Sequence, residues 1–339
     1  MLIDLHPPAA DMAALVIAGM ARQPRQLPAW LLYDAEGSRL FEAICEQPEY
    51  SLTRKETALL EQRADDLASA LGAGVVVEFG AGNARKVGPL LRALQPAAYV
   101  ALDISADQLA PACLALERDH PGLPILGICC DYSCMAELPG HPLLVGRRRL
   151  GFYPGSSLGN FEPEAAGSLL RQFQQLLGPD SRLLIGIDQP KTVERLEAAY
   201  NDRAGVSAAF ARNLLNRLNR DLQGDFDPAA FRYQARWEAD ASRIAMELVS
   251  ERRQTVQLAG QAWTFTAGEP LVTEYSYKYA PAVFEALAAS AGWRAVQRWS
   301  DAADDLSLHL LVQADSEAQP AEAASDGQGR TAPGDAPGP

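Results

Sequence analysis

Two rhythms of apolar residues take turns along the middle of the chain. Short β-branched runs such as Val75–Val77 read as strands buried on both faces. Between them, residues such as Val87, Leu90, Leu91 and Leu94 recur at helical spacing. The pattern predicts strand 75–79, helix 85–94, strand 98–102, helix 106–118 and strand 125–130. It continues with a strand near Leu150–Tyr153, helix 163–177 and strand 182–188. Strands alternating with helices predict a parallel sheet with right-handed crossovers.

After Asp188 the alternation stops. Residues 191–222 read as helical, with Tyr200, Phe210, Leu214, Leu215 and Leu218 on repeating faces. Residues 231–237 and 243–266 read as strands, and Thr273–Tyr279 as the return to the first sheet. A helix from Pro281 to Ala291 follows. Arg294–Trp299 and Leu306–Val312 then predict an antiparallel pair at the sheet edge. Upstream, Asp11 is placed to cap a helix ended by Pro24, and residues 55–70 read as a helix leading into the core. Residues 28–56 are too rich in aromatic side chains for a linker and predict a cap over the mouth of the sheet. The resulting division is 1–54, an N-terminal cap belonging to a substrate domain; 55–190, the main domain; 191–272, an inserted α+β unit; 273–313, the return; and 314–339, a disordered tail. Residues 1–10 are expected to be loose.

The 339 residues are 48% hydrophobic, enough for one large core or two ordinary ones. The net charge of −13 argues against binding a nucleic-acid backbone, which needs clustered Lys and Arg. Arg147–Arg149 reads as a solvated edge. Five cysteines, an odd number, suggest no disulfide framework. Cys130 and Cys134 have a conceivable metal spacing, but His6, His120, His141 and His309 complete no ligand set, so no metal is expected. No apolar run approaches the roughly 20 residues of a membrane helix, and nothing resembles a signal peptide. A cytoplasmic monomer fits these features.

Chemistry concentrates at the carboxyl ends of the predicted strands. Gly80 and Gly82 follow the first strand and allow a tight turn with close backbone approach. A dinucleotide fingerprint would need a small residue where Arg85 stands. Glu78, Asp103 and Asp131 each stand at the end of a successive strand. Any one alone reads as a turn or helix-cap residue. Together with the short glycine turn they resemble the cofactor cleft of class I S-adenosylmethionine-dependent methyltransferases, with dehydrogenase as the alternative. In the loop 154–161, two glycines and two serines mark a place where something approaches the backbone.

Longer motifs carry a more specific resemblance. Tyr33-Asp-Ala-Glu-Gly-Ser-Arg-Leu-Phe41, Pro48-Glu-Tyr50, Thr53-Arg54, Glu78-Phe-Gly-Ala-Gly82, Gly155-Ser-Ser-Leu-Gly-Asn160-Phe, Tyr200 to Asn213 and Thr273-Glu-Tyr-Ser276 resemble the L-histidine Nα-methyltransferase family of ergothioneine biosynthesis. The resemblance covers roughly residues 28–312. It implies an α/β fold: a class I, Rossmann-like methyltransferase sheet with an inserted α+β substrate-binding domain. It also implies S-adenosylmethionine as methyl donor and three transfers to the α-amine of L-histidine.

The resemblance assigns Gly80, Gly82, Lys86, Asp103, Asp131 and Tyr132 to the cofactor. It assigns Phe41, Tyr50, Gly155, Asn160, Tyr200, Met246, Glu274 and Ser276 to the substrate, and Tyr33 and Asn160 to the reacting amine. Tyr132 replaces the family's common phenylalanine, and its hydroxyl needs a partner if buried. Glu274 and Ser276, two apart on a strand, share a face, where a carboxylate accepts an imidazole N–H and a hydroxyl serves the other nitrogen. Solvent or Tyr33 is expected to receive the amine's proton. Rival readings are the same fold acting on tryptophan or a derivative, and a non-catalytic S-adenosylmethionine-binding module.

Overall fold

The computed structural model describes residues 1–5 and 11–314. The expected tail, from 315 on, and residues 6–10 lie outside the described residues. In chain order the strands are β1 (Leu2–Asp4), β2 (Arg25–Gln26), β3 (Val75–Phe79), β4 (Ala98–Asp103), β5 (Ile125–Cys129), β6 (Arg149–Tyr153) and β7 (Arg182–Asp188). They continue as β8 (Phe231–Glu238), β9 (Arg243–Ser250), β10 (Gln254–Leu258), β11 (Gln261–Phe265), β12 (Pro270–Tyr277), β13 (Trp293–Ser300) and β14 (Leu306–Gln313). The helices are α1 (Met12–Met20), α2 (Ala35–Cys45), α3 (Leu52–Gln62), α4 (Ala64–Leu71), α5 (Gly88–Leu94), α6 (Ala106–Asp119), α7 (Pro163–Leu177), α8 (Val193–Tyr200), α9 (Val206–Leu222) and α10 (Pro281–Ser290).

The main sheet runs β1-β5-β4-β3-β6-β7-β14-β13. It is parallel from β1 to β7, and every residue of β3 is buried, as the unbroken apolar run required. Strands β4 and β6 flank β3 on opposite sides, so the order reverses there and a crevice opens at its carboxyl end. Strands β14 and β13 form the expected antiparallel pair beside β7.

The first residues are not loose: Leu2–Asp4 pair with Gly127–Cys129. Leu2 reaches to 3.0 Å from where a Cβ of Gly127 would stand, so that glycine makes room for the strand. The helix expected from 85 starts at Gly88, because Pro89 suits only a first turn. The helix expected over 55–70 breaks at Arg63, and Asp65 and Asp66 favour a new N-terminus after it. The one expected over 191–222 breaks at residues 201–205, where the Asp202 carboxylate accepts the Val206 and Ser207 N–H groups at 2.9 and 2.7 Å.

A second sheet, β2-β12-β9-β8, is built from the N-terminal segment and the insertion. Here the structure corrects the boundary expected at 273. Residues 273–277 do not return to the main sheet; Glu274–Tyr277 pair antiparallel with β9. The return comes after Tyr277, where the Tyr279 N–H donates to the Asp188 carbonyl at 3.2 Å. Among the described residues no helix is long and apolar enough to cross a membrane.

Candidate active site

The glycine turn after β3 is held by a carboxylate. Gly80 and Gly82 have positive φ, 67° and 52°, which the missing Cβ permits. Asp103, at the end of β4, accepts the Gly82 N–H through Oδ2 at 2.7 Å and the Ser105 N–H through Oδ1 at 2.9 Å. Burial raises its pKa despite those bonds. Tyr132 stands over the same turn, its hydroxyl 3.2 Å from where a Gly80 Cβ would be. Tyr153 supplies the partner for that hydroxyl. Asp131 accepts the Ser133 N–H and hydroxyl at 3.0 and 2.5 Å, which shapes the turn under Tyr132. The cap lies over this mouth: Asn83 Nδ2 donates to Glu42 at 3.2 Å, and Gln108 to the Ser38 hydroxyl. Glu78 differs from the other two acids. It is buried inside β3, one residue before the strand's end, and takes a 2.5 Å hydrogen bond from the Tyr99 hydroxyl.

Lys86 lies in the turn ahead of α5 and pairs at 2.9 Å with Glu56, a fully buried carboxylate. The same carboxylate accepts the Gly155 N–H, at 2.7 and 2.9 Å to its two oxygens. Glu56 thus ties the glycine-turn side to the loop after β6. It occupies space opened by Gly186, whose Cβ would fall 2.0 Å from Oε1. Gly186→Ala should displace Glu56, destabilise the fold by about 1–3 kcal/mol and loosen the Gly155 loop. Unchanged denaturant midpoint and unchanged substrate KM would refute this.

Beyond Gly155, the loop turns through Ser156, whose hydroxyl accepts the Asp188 N–H at 2.9 Å. It then presses Gly159 against β12, where a Cβ would meet the Tyr277 carbonyl oxygen at 2.5 Å. Asn160 ends the loop, exposed.

Five aromatic rings form a wall from the cap to the insertion. Tyr33 meets Phe41 and Phe210 edge-on at 5.6 and 5.4 Å. Phe41 meets Tyr50 at 6.3 Å, and Tyr50 meets Tyr200 at 5.9 Å with planes 89° apart. Behind Tyr200, the Tyr233 hydroxyl donates to its carbonyl at 2.6 Å. Strand β12 completes the site. Its register shifts between Val272 and Glu274, leaving Thr273 as a bulge that bonds the Met246 carbonyl at 3.0 Å. Such a bulge re-aims the residues that follow it. Glu274 then lies opposite Met246, which is buried. The alternation sends Tyr275, Tyr277 and Tyr279 to the other side, where they form their own ring contacts.

Glu274 is 7% exposed, and its Oε1 has no hydrogen-bond partner. Burial pushes its pKa up to about 8, against a lowering by Lys278. Glu78 is likewise pushed up to about 8 by burial, against the Tyr99 bond. In the free protein both carboxyls keep a proton that the unfolded chain sheds near pH 4.5. The folded state's advantage from them is therefore complete below that value and lost as pH rises through 8. His309 works the other way, burial lowering it to about 4 from 6.5, so its contribution is complete above 6.5. Between pH 6.5 and 8 the free protein should lose about 1 kcal/mol per pH unit for each carboxyl. Thermal melts should show this, and Glu78→Gln should halve the slope.

The profile of the family described as histidine-specific, S-adenosylmethionine-dependent methyltransferase matches residues 12–313. The chain belongs to that family. It is 38% identical over 316 residues to the histidine N-alpha-methyltransferase of Mycolicibacterium smegmatis, covering 90% of this chain and 97% of that one. It is 37% identical over 305 residues to the Mycobacterium tuberculosis enzyme of the same name, covering 88% of this chain and 94% of that one. Ergothioneine biosynthesis protein 1 of Neurospora crassa is 30% identical over 86% of this chain and 33% of its own length.

In this histidine-specific methyltransferase the structure brings Tyr33, Phe41, Tyr50, Tyr200, Met246, Glu274 and Ser276 to one wall. It brings Gly80, Gly82, Asp103, Asp131 and Tyr132 to another. Gly155 faces Lys86 rather than the aromatic wall. Glu56, Asp188 and Lys278 were missed by sequence reasoning. For Lys278 the signal was present: it continues the two-residue alternation of Glu274 and Ser276.

Proposed function

We propose that this protein methylates the α-amine of L-histidine with S-adenosylmethionine, three times in succession, to give hercynine, the first step of ergothioneine biosynthesis. The carrying observation is the unpartnered Oε1 of buried Glu274, beside Ser276 and an aromatic wall. A buried acceptor without a donor costs about 1–3 kcal/mol, and a ligand N–H removes that cost. The relatives' names supply the imidazole as the ligand.

The residues at the glycine turn suit the cofactor. Two positive-φ glycines leave the space a Cβ would fill, and Asp103 has a lone pair left after its backbone bonds. Asp103 would hold the ribose hydroxyls, Asp131 and Tyr132 the adenine, and Lys86 the carboxylate. The sulfonium supplies an already activated methyl group. Glu274 and Ser276 then read the ring, Tyr50, Tyr200 and Asn160 hold the amino-acid end, and Phe41 and Met246 pack the ring. Asn160 aims the nitrogen; orientation of this kind contributes about 7–11 kcal/mol. The aromatic faces of Tyr33 and Phe41 favour the quaternary product by about 0.5–2 kcal/mol.

Of the two proton acceptors expected, solvent is favoured. Tyr33 keeps 36% of its surface exposed, yet loss of hydration at its hydroxyl end and then the Glu274 charge raise its pKa above the ordinary value, so its phenol stays protonated and is a poor base. Tyr33→Phe should keep the pH dependence of kcat, changing only its height. A lost alkaline limb would restore Tyr33 as base. The protein is further inferred to work in the cytoplasm as a monomer, none of its five cysteines being joined in a disulfide.

The test is competition: purified protein, S-adenosylmethionine and the twenty amino acids, with products read by mass spectrometry. Three methyls on histidine alone is the expected result. Methylation of a different amino acid overturns the pocket assignment, and no binding of S-adenosylmethionine overturns the cofactor cleft.

A further inference from the structure

Lys278 is a fully buried ammonium whose three hydrogens are all taken. Its Nζ lies 2.9 Å from Asp188 Oδ2, 2.6 Å from the Tyr200 hydroxyl and 2.8 Å from the Ser276 hydroxyl. It also sits 4.6 Å from the Tyr200 ring centroid. Burial is the largest single influence and lowers its pKa, but Asp188 and Tyr200 together outweigh it and raise it, so the group is held as an ammonium. Asp188 is itself fixed from four sides. Its N–H donates to Ser156, its carbonyl accepts from Tyr279, and Lys191 pairs with its second oxygen.

A lysine ammonium can only donate, and a hydroxyl has one hydrogen and two lone pairs. Lys278 therefore takes one lone pair of Ser276 Oγ and one of Tyr200 Oη. The two hydroxyls are 3.0 Å apart, so one donates to the other. Of the two, the phenol is the more acidic hydroxyl and the better donor, so Tyr200 donates, and Ser276 has both lone pairs filled and one hydrogen left. Its only remaining capacity is to donate.

We propose that Lys278 is a positioning residue that makes Ser276 a fixed donor, so that the pocket selects a neutral ring offering one N–H and one bare nitrogen. Glu274 Oε1, on the same strand face, accepts the N–H, and Ser276 donates to the bare nitrogen. Without the ammonium, Ser276 turns freely and accepts or donates according to the ligand. Lys278 thus sets which rings are rejected while touching none of them. The proposal rests on the histidine reading above, and its test separates the two.

The measurement is a ratio of kcat/KM values for L-histidine and L-β-(pyrrol-2-yl)alanine, whose ring keeps an N–H but has no acceptor nitrogen. The native protein should prefer histidine by about a hundredfold or more, since an unpaired buried donor is costly. In Lys278→Met the ratio should shrink to within about tenfold, with S-adenosylmethionine affinity unchanged by titration. Lys278→Arg, which keeps the charge and donors, should restore part of it. If both substrates decline in parallel and the ratio holds, Lys278 is merely structural and the proposal is overturned. If the native protein shows no preference, the histidine pocket reading fails instead. Should Lys278→Met fail to fold because Asp188 is stranded, Asp188→Asn/Lys278→Met removes both charges and is read by the same ratio.

Discussion

Glu274→Ala should raise the KM for histidine roughly 10- to 150-fold and leave the dissociation constant of S-adenosylmethionine where it was. The range follows from a hydrogen bond to a charged group, about 1.5–3 kcal/mol, at about 1.4 kcal/mol per decade. Stability should move in the opposite sense to binding. In the free protein Glu274 is 7% exposed with an unpartnered oxygen, so it is a cost to the fold. Alanine removes that cost, and the melting temperature should hold or rise. A residue that merely supports the strand would show the reverse, lower stability with histidine affinity intact. That outcome, found by calorimetry and steady-state kinetics on one preparation, removes Glu274 from the site.

Asp103→Ala should weaken S-adenosylmethionine binding by at least about a hundredfold. Two effects combine. The proposed bonds to the ribose hydroxyls are charge-assisted and contribute about 1.5–3 kcal/mol each. The Gly82 and Ser105 N–H groups also lose their acceptor, so the turn that shapes the cleft is no longer held. Asp103→Asn separates these contributions. Its amide keeps the side chain's shape and one acceptor oxygen, and it should recover only part of the loss. A dissociation constant within about threefold of the native value in Asp103→Ala would sink the assignment of this cleft.

The two changes act on walls that differed in legibility. The strands of the main sheet announced themselves, because burial on both faces leaves a run such as Val75–Val77 with no polar member. Helix breaks were hidden, since the apolar period runs on across Arg63 and across residues 201–205. Strand β12 was visible as a strand but not by its sheet. The family resemblance pointed to Glu274; alternation says which residues share a face and nothing about the neighbouring strand, so the pairing of β12 with β9 was not foreseen. Lys278 and Glu56 were passed over for a related reason. A charged residue reads as solvated until its partner is seen, and Asp188, Lys86 and the Gly155 N–H all lie far along the chain.

The pairing of β2 with β12 also governs when the site can exist during synthesis. Arg25 and Gln26 leave the ribosome early, but their partners Leu271 and Val272 come near the end. Contacts so distant in sequence form late in folding. The cap, with Tyr33, Phe41 and Tyr50, has no second-sheet strand to join until then. The main sheet can assemble β3 to β7 from a nascent chain that still lacks the second sheet. A polypeptide cut short before residue 270 therefore lacks β12 with Glu274 and Ser276, proposed to read the ring of the amino acid, and Lys278 just after it.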